Sequence, residues 1–136
     1  MFSLTVRDHV MIAHSLPRPA FGPAQGLHGA TFVVELTVHA EDLDENATVM
    51  DIGEASDVLS GVLDPLRYAN LDELPEFSGR LTTTEAIAQH IAEGVADKLR
   101  SADHLVAVEA TLREHPDAWA SCRVELNRSR GRRRRD

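Results

Sequence analysis

The chain's 136 residues suffice for one packed domain and not for two, since a second would leave each half too small to bury a core. With 43% hydrophobic and 26% charged residues it is too apolar for a disordered chain, and with 4% aromatics it lacks the rings of a base-stacking surface, so nucleic acid is not expected as a partner. The net charge of −8 is uneven: six arginines against Asp136 give residues 128–136 a net +5 and leave the body at −13. One domain over residues 1–127 is therefore expected, followed by an arginine-rich tail over 128–136 read as unstructured and solvated rather than as a phosphate-binding arm. A single cysteine, Cys122, excludes an internal disulfide framework, and there is neither a charged-then-apolar leader nor a long apolar run. A cytoplasmic protein without membrane contact is expected, with Cys122 a buried, inert thiol.

In chain order, residues 2–14 alternate through Leu4, Val6, Val10 and Ile12 and read as a long strand. Pro17, Pro19, Gly22, Pro23 and Gly26 then punctuate a loop. A second strand over about 27–40 sets Phe32, Val34, Leu36 and Val38 on one face and Thr31, Glu35 and Thr37 on the other. After an acidic turn, Asp51 caps a helix with Val58, Leu59, Val62, Leu63 and Leu66 at helical spacing, ended by Pro65. Thr82-Thr83-Thr84-Glu85 supplies a capping box ahead of a second helix through Ile87, Ile91, Val95 and Leu99. Residues 104–112 and 119–126 alternate around His115-Pro116-Asp117 and read as a closing hairpin.

The order β-β-α-α-β-β predicts an α+β domain, a four-stranded antiparallel sheet with both helices on one face. Its exposed edges call for pairing, and closure into an oligomeric barrel is the expected solution.

Seven histidines invite a metal reading, although scattered histidines are mostly core or surface residues. His14 ends the first strand and His28 begins the second, so paired strands would bring them together as half of a tetrahedral zinc site. His39, His90, His104 and His115 read as surface or packing residues.

Several segments together resemble one family. Val10-Met11-Ile12-Ala13-His14 is similar to an apolar run ending in a zinc histidine, and Leu27-His28-Gly29-Ala30-Thr31-Phe32 stands where that family has His-Gly-His and an aromatic. Val49-Met50-Asp51 resembles its aspartate before the first helix, Leu63-Asp64 begins its Leu-Asp-His element, followed by Tyr68 and Asn70, and Thr83-Thr84-Glu85 matches its Pro-Thr-Ser-Glu helix start without the proline. Val106-Ala107-Val108-Glu109 resembles the strand that ends in its pterin-anchoring glutamate. The family is that of 6-pyruvoyl- and 6-carboxy-tetrahydropterin synthases, and the resemblance, over about residues 2–120, marks a divergent member.

It implies the tunnelling fold, in which trimers close a barrel and barrels stack into hexamers, with a pterin pocket between subunits. It implies zinc as cofactor, held by histidines and polarising dihydroneopterin triphosphate while a cysteine, tuned by an aspartate and a histidine, moves protons. This sequence has Ala24 at the cysteine, Ala30 at the second histidine of His-Gly-His and Pro65 after Asp64. The metal ligands expected are thus His14 and His28, with His9 as a third if a bulge turns it to their face. Asp64 is the candidate base; Glu109 and Glu85 are the candidate ligand-binding acids, against the plainer readings of Asp64 as a turn residue, Glu109 as a solvated strand end and Glu85 as half of a capping box. The function expected is a lyase with an altered site, binding a dihydropterin between the subunits of a homotrimer or homohexamer. The alternative is a catalytically inactive pterin- or purine-binding homologue, ahead of a purely structural role.

Overall fold

The computed structural model describes residues 1–126; the expected tail over 128–136 lies outside the described residues. β1 (Phe2–His14) and β2 (His28–Ala40) pair antiparallel in unbroken register, Phe2 opposite Ala40 and His14 opposite His28. Their even-numbered side chains, among them Val6, Val10, Ile12, Phe32, Val34, Leu36 and Val38, form the buried face, as the alternation demands. The loop between them is folded by 3₁₀ turns over Pro19–Gln25, where Gly22 takes a φ of +52° that a side chain would resist.

α1 (Ile52–Leu63) begins as expected, the Asp51 carboxylate accepting from the Glu54 N–H at 2.9 Å, and buries Ala55, Leu59, Val62 and Leu63. Pro65 cannot donate to a further turn, and the chain tightens into a 3₁₀ turn over Asp64–Leu66. α2 (Thr84–Leu99) starts one residue later than the capping box requires. Thr83 is the cap, accepting from the Ala86 N–H at 3.1 Å, which puts Glu85 at the second helical position, exposed and outside any reciprocal bond to the cap. Thr82 is buried instead. α2 buries Ile87, Ala88, Ile91, Ala92, Val95, Ala96 and Leu99 against the sheet. β3 (Leu105–His115) and β4 (Ala118–Glu125) complete an antiparallel sheet in the order β1-β2-β3-β4. β3 runs past the expected end at Leu112 because pairing resumes beyond a bulge between Arg113 and His115.

The face without helices is polar. Thr5 and Thr37 share a hydroxyl bond of 2.8 Å, Thr111 and Ser121 one of 3.0 Å, and Glu35 accepts from Arg113 at 2.6 Å and Arg7 at 3.4 Å. Residues 67–70 run along the outer edge of β1: Arg67 Nη1 donates to the His9 carbonyl at 2.9 Å, the Tyr68 N–H to the Met11 carbonyl at 2.7 Å, and the Ala13 N–H to the Ala69 carbonyl at 2.9 Å. This contact holds Tyr68, 84% exposed, at a φ of +57°. Among the described residues, the remainder of β1 and the far side of β4 pair with no further strand.

Two of the histidines read as surface or packing residues make contacts of this kind. His104 Nε2 meets the Val49 carbonyl at 2.7 Å, and the His90 ring lies 4.7 Å from that of Phe77. Burial holds His90 below its ordinary pKa, with Arg80 adding to this and Glu76 and Glu93 opposing it. As pH falls through about 6.5 the unfolded chain therefore takes up this proton first, and the native state loses stability. Thermal midpoints measured between about pH 7 and pH 5 should fall less steeply in His90→Leu than in the wild type. Cys122 is half-buried and its thiol is pushed up by burial, with Glu93 and Glu109 adding to the shift, which fits the inert role expected of it. Among the described residues no helix is long and apolar enough to cross a membrane.

Candidate functional site

The last residue of β1 and the first of β2 are cross-strand partners, so the register itself brings His14 and His28 together, with ring centroids 4.6 Å apart at 61°. His14 Nδ1 lies 2.9 Å from the Thr82 carbonyl and 3.1 Å from its hydroxyl; His28 Nδ1 lies 2.8 Å from the Gly26 carbonyl. A carbonyl can only accept, so each Nδ1 carries a proton, and Nε2 is the ring nitrogen left to meet a ligand. His14 is 3% exposed, and its Nε2 has no hydrogen-bond partner among the described residues. A buried acceptor left open while the other ring nitrogen is tied to a backbone carbonyl is the arrangement of a histidine awaiting a ligand or a metal. Burial holds the His14 pKa below its ordinary value and the neighbouring His28 adds to this; the Thr82 bond, Glu114 and Asp72 oppose it. Asp72 is held there by the Ser15 hydroxyl at 2.6 Å.

Glu114 owes its position to the bulge. Arg113 pairs with Trp119 and His115 with Ala118, so Glu114 is the extra residue and is turned out of the strand's alternation. It lines a cleft of about 230 Å³ together with Thr84 and Glu85 at the start of α2, His115, and Ala118, Trp119 and Ala120 of β4. That volume is below the roughly 300 Å³ at which pockets for whole small ligands begin. Two carboxylates facing one cleft suit a ligand edge made of N–H donors.

The other expected residues are placed elsewhere. No bulge interrupts β1, so His9 points to the sheet face opposite His14, where it is exposed beside Asp8; it is not a third ligand to this pair. Asp64 is 65% exposed and ion-paired to Arg67 at 2.9 Å, and Arg67 also grips Asp8 at 2.9 Å. Asp8 lies six residues, about 20 Å, along β1 from His14, so within one chain Asp64 does not meet the histidines. Glu109 does not end a strand: it sits in mid-β3, opposite Thr37 and Arg123, on the face away from the helices, with its carboxylate 3.7 Å from His39 Nε2. Glu85 does line the cleft. Among the described residues no group of three or more histidine, cysteine or acidic side chains is placed to hold a metal. Glu114 is the residue the sequence reading missed. An acid directly before His115-Pro116-Asp117 was the available signal, masked by ending the strand at Leu112.

A family model described as 6-pyruvoyl tetrahydropterin synthase matches residues 3–125. The 6-carboxy-5,6,7,8-tetrahydropterin synthase of Bacillus subtilis (strain 168) is 27% identical over 123 residues, spanning 87% of this chain and 82% of that protein. The fold is shared with the 6-pyruvoyl tetrahydropterin synthase of Caenorhabditis elegans at a TM-score of 0.78 and 21% identity, over 90% of this chain and 95% of that one. It is shared too with the Plasmodium falciparum synthase at a TM-score of 0.76 and 17% identity, over 92% and 98% of the two chains.

Proposed function

The chain belongs to the 6-pyruvoyl tetrahydropterin synthase family, and on that premise we propose that it binds a dihydropterin of the dihydroneopterin triphosphate kind between copies of itself and acts on it as a lyase with an altered active site. The observation that carries this reading is the histidine pair, each ring anchored at Nδ1 by a backbone carbonyl and the buried His14 Nε2 without a hydrogen-bond partner among the described residues. Glu85 and Glu114 in the cleft, the latter near enough to His14 to act on its charge, are acceptors for the amino-pyrimidine edge of the ring. The part-formed cleft and the open sheet edges support a homotrimer or homohexamer that closes the barrel and supplies the missing wall.

In this scheme His14, kept neutral by burial, takes a proton from the ligand's hydroxylated side chain at Nε2, while its bond to Thr82 steadies the imidazolium that forms. Asp64 joins as a base only from a neighbouring copy. The pair offers two of the three protein ligands usual in a catalytic zinc site, and Ala30 stands where a third would come. The donor set is one short of that site, and no step here runs through a metal.

A second reading, a pterin- or purine-binding protein without turnover, is favoured by Ala24, whose methyl group can neither ionise nor take a proton. Incubation of the purified oligomer with 7,8-dihydroneopterin triphosphate separates the two. A lyase consumes it with release of triphosphate, and His28→Ala slows this by about 100-fold or more. Saturable neopterin binding without consumption establishes the second reading, and the absence of both binding and consumption rejects the two together.

A further inference from the structure

Trp119 is the chain's single tryptophan and is 56% exposed. A bare indole at the surface gains little from burial, yet this one has a stacking partner. It faces Arg113 across the β3–β4 pair, with the guanidinium carbon 4.1 Å from the ring centroid. Arg113 donates to Glu35 at 2.6 Å, and Glu35 also accepts from Arg7 at 3.4 Å. A strut of three charged side chains thus braces one side of the indole, and Trp119 is among the residues that line the cleft with Glu85 and Glu114.

From this geometry we propose that Trp119 is the platform on which the ligand's flat ring stacks, and that it makes the cleft selective for fused bicyclic rings over single ones. The inference rests on the reading of the cleft as a pterin-binding site. Carboxylates at the cleft choose a ring with N–H donors along one edge, but they cannot tell one ring from two fused rings that carry the same edge. The indole can, because stacking grows with the overlapping area of the two π faces, and a braced aromatic loses little freedom when the ring arrives. The ligand class is an amino-substituted, fused, planar heterocycle with its donor edge toward Glu85 and Glu114.

The test uses the full-length oligomer, calorimetric titration with neopterin and with the single ring 2-amino-4-hydroxypyrimidine, and the fluorescence of Trp119 itself. Expected are saturable quenching by neopterin in the wild type, and a loss of neopterin affinity of roughly 10- to 100-fold in Trp119→Ala with little change for the single ring. Trp119→Phe should keep most of the affinity, and if the alanine variant fails to fold, the quenching of Trp119 fluorescence in the wild type decides in its place. Unaltered neopterin affinity in both variants, unquenched fluorescence on binding, or equal losses for the two compounds would each overturn the inference. Binding abolished by Glu114→Gln but unchanged in Trp119→Ala removes only the role of Trp119. No binding of either compound by the wild type removes the pterin reading, and this inference with it.

Discussion

Glu114→Gln is expected to weaken neopterin binding by roughly 100-fold, corresponding to about 3 kcal/mol. An ionised carboxylate presents only acceptors, and an amino-pyrimidine edge presents two neighbouring N–H donors. Glutamine keeps one acceptor and turns an NH₂ group toward the second donor, so one bond is lost and a donor–donor contact replaces it. The fold should be indifferent, because Glu114 is the extra residue of a bulge and, among the described residues, its side chain takes no part in the β3–β4 ladder. Glu109→Gln is the control. It lies on the opposite sheet face from the histidines, beside His39, and its substitution should leave neopterin affinity near the wild-type value in the same titration. A large loss in Glu109→Gln with none in Glu114→Gln would move the ligand to the helix-free face and reject the cleft.

Ala30→His should add a third imidazole beside the His14–His28 pair, raising zinc affinity by at least about 100-fold and yielding near-stoichiometric zinc after dialysis. Position 30 is two residues from His28 on an unbroken strand and therefore shares its face. Ala30 is half-buried opposite Ile12 at the rim of the core, so a larger side chain has solvent to extend into. The two existing imidazoles already have their Nδ1–H groups satisfied by backbone carbonyls, the support that fixes a metal-binding tautomer. A third Nε2 in the same quadrant completes three protein ligands. Zinc retention no better than in the wild type would show that the pair is not disposed toward a common ion.

The strands, both helices and the sheet order follow from alternation and helical spacing, because at Phe32, Leu36, Ile87 or Ile91 the same side chain that sets the period also fills the core. The His14–His28 contact was legible for the same reason: two strands joined by a loop must present their adjoining ends to each other. What escaped was set by single-residue offsets. The cap of α2 fell on Thr83 rather than Thr82, since any of three consecutive threonines can offer the hydroxyl, and this freed Thr82 to hold His14. The bulge at Glu114 was invisible because an inserted residue leaves no mark in hydrophobic periodicity when its neighbours are Arg113 and His115. Asp64 kept its place after Leu63, but its pairing with Arg67 depends on a return of the chain along β1 that local patterning does not encode.

That return of the chain has a consequence for how the sheet can grow. With residues 67–70 bonded along the outer side of β1 from His9 to Ala13, an added strand finds backbone partners only along residues 2–8. The eight residues of β4 exceed that seven-residue stretch by one, and the register of β1 against β2 already places the stretch at one end of the sheet. A strand added only at that end joins with an offset rather than level with its neighbours. Repeated offsets of one sign are the shear that tilts strands about a common axis, so this clamp on half of one edge favours a sheet that curls shut over one that extends as a flat ribbon.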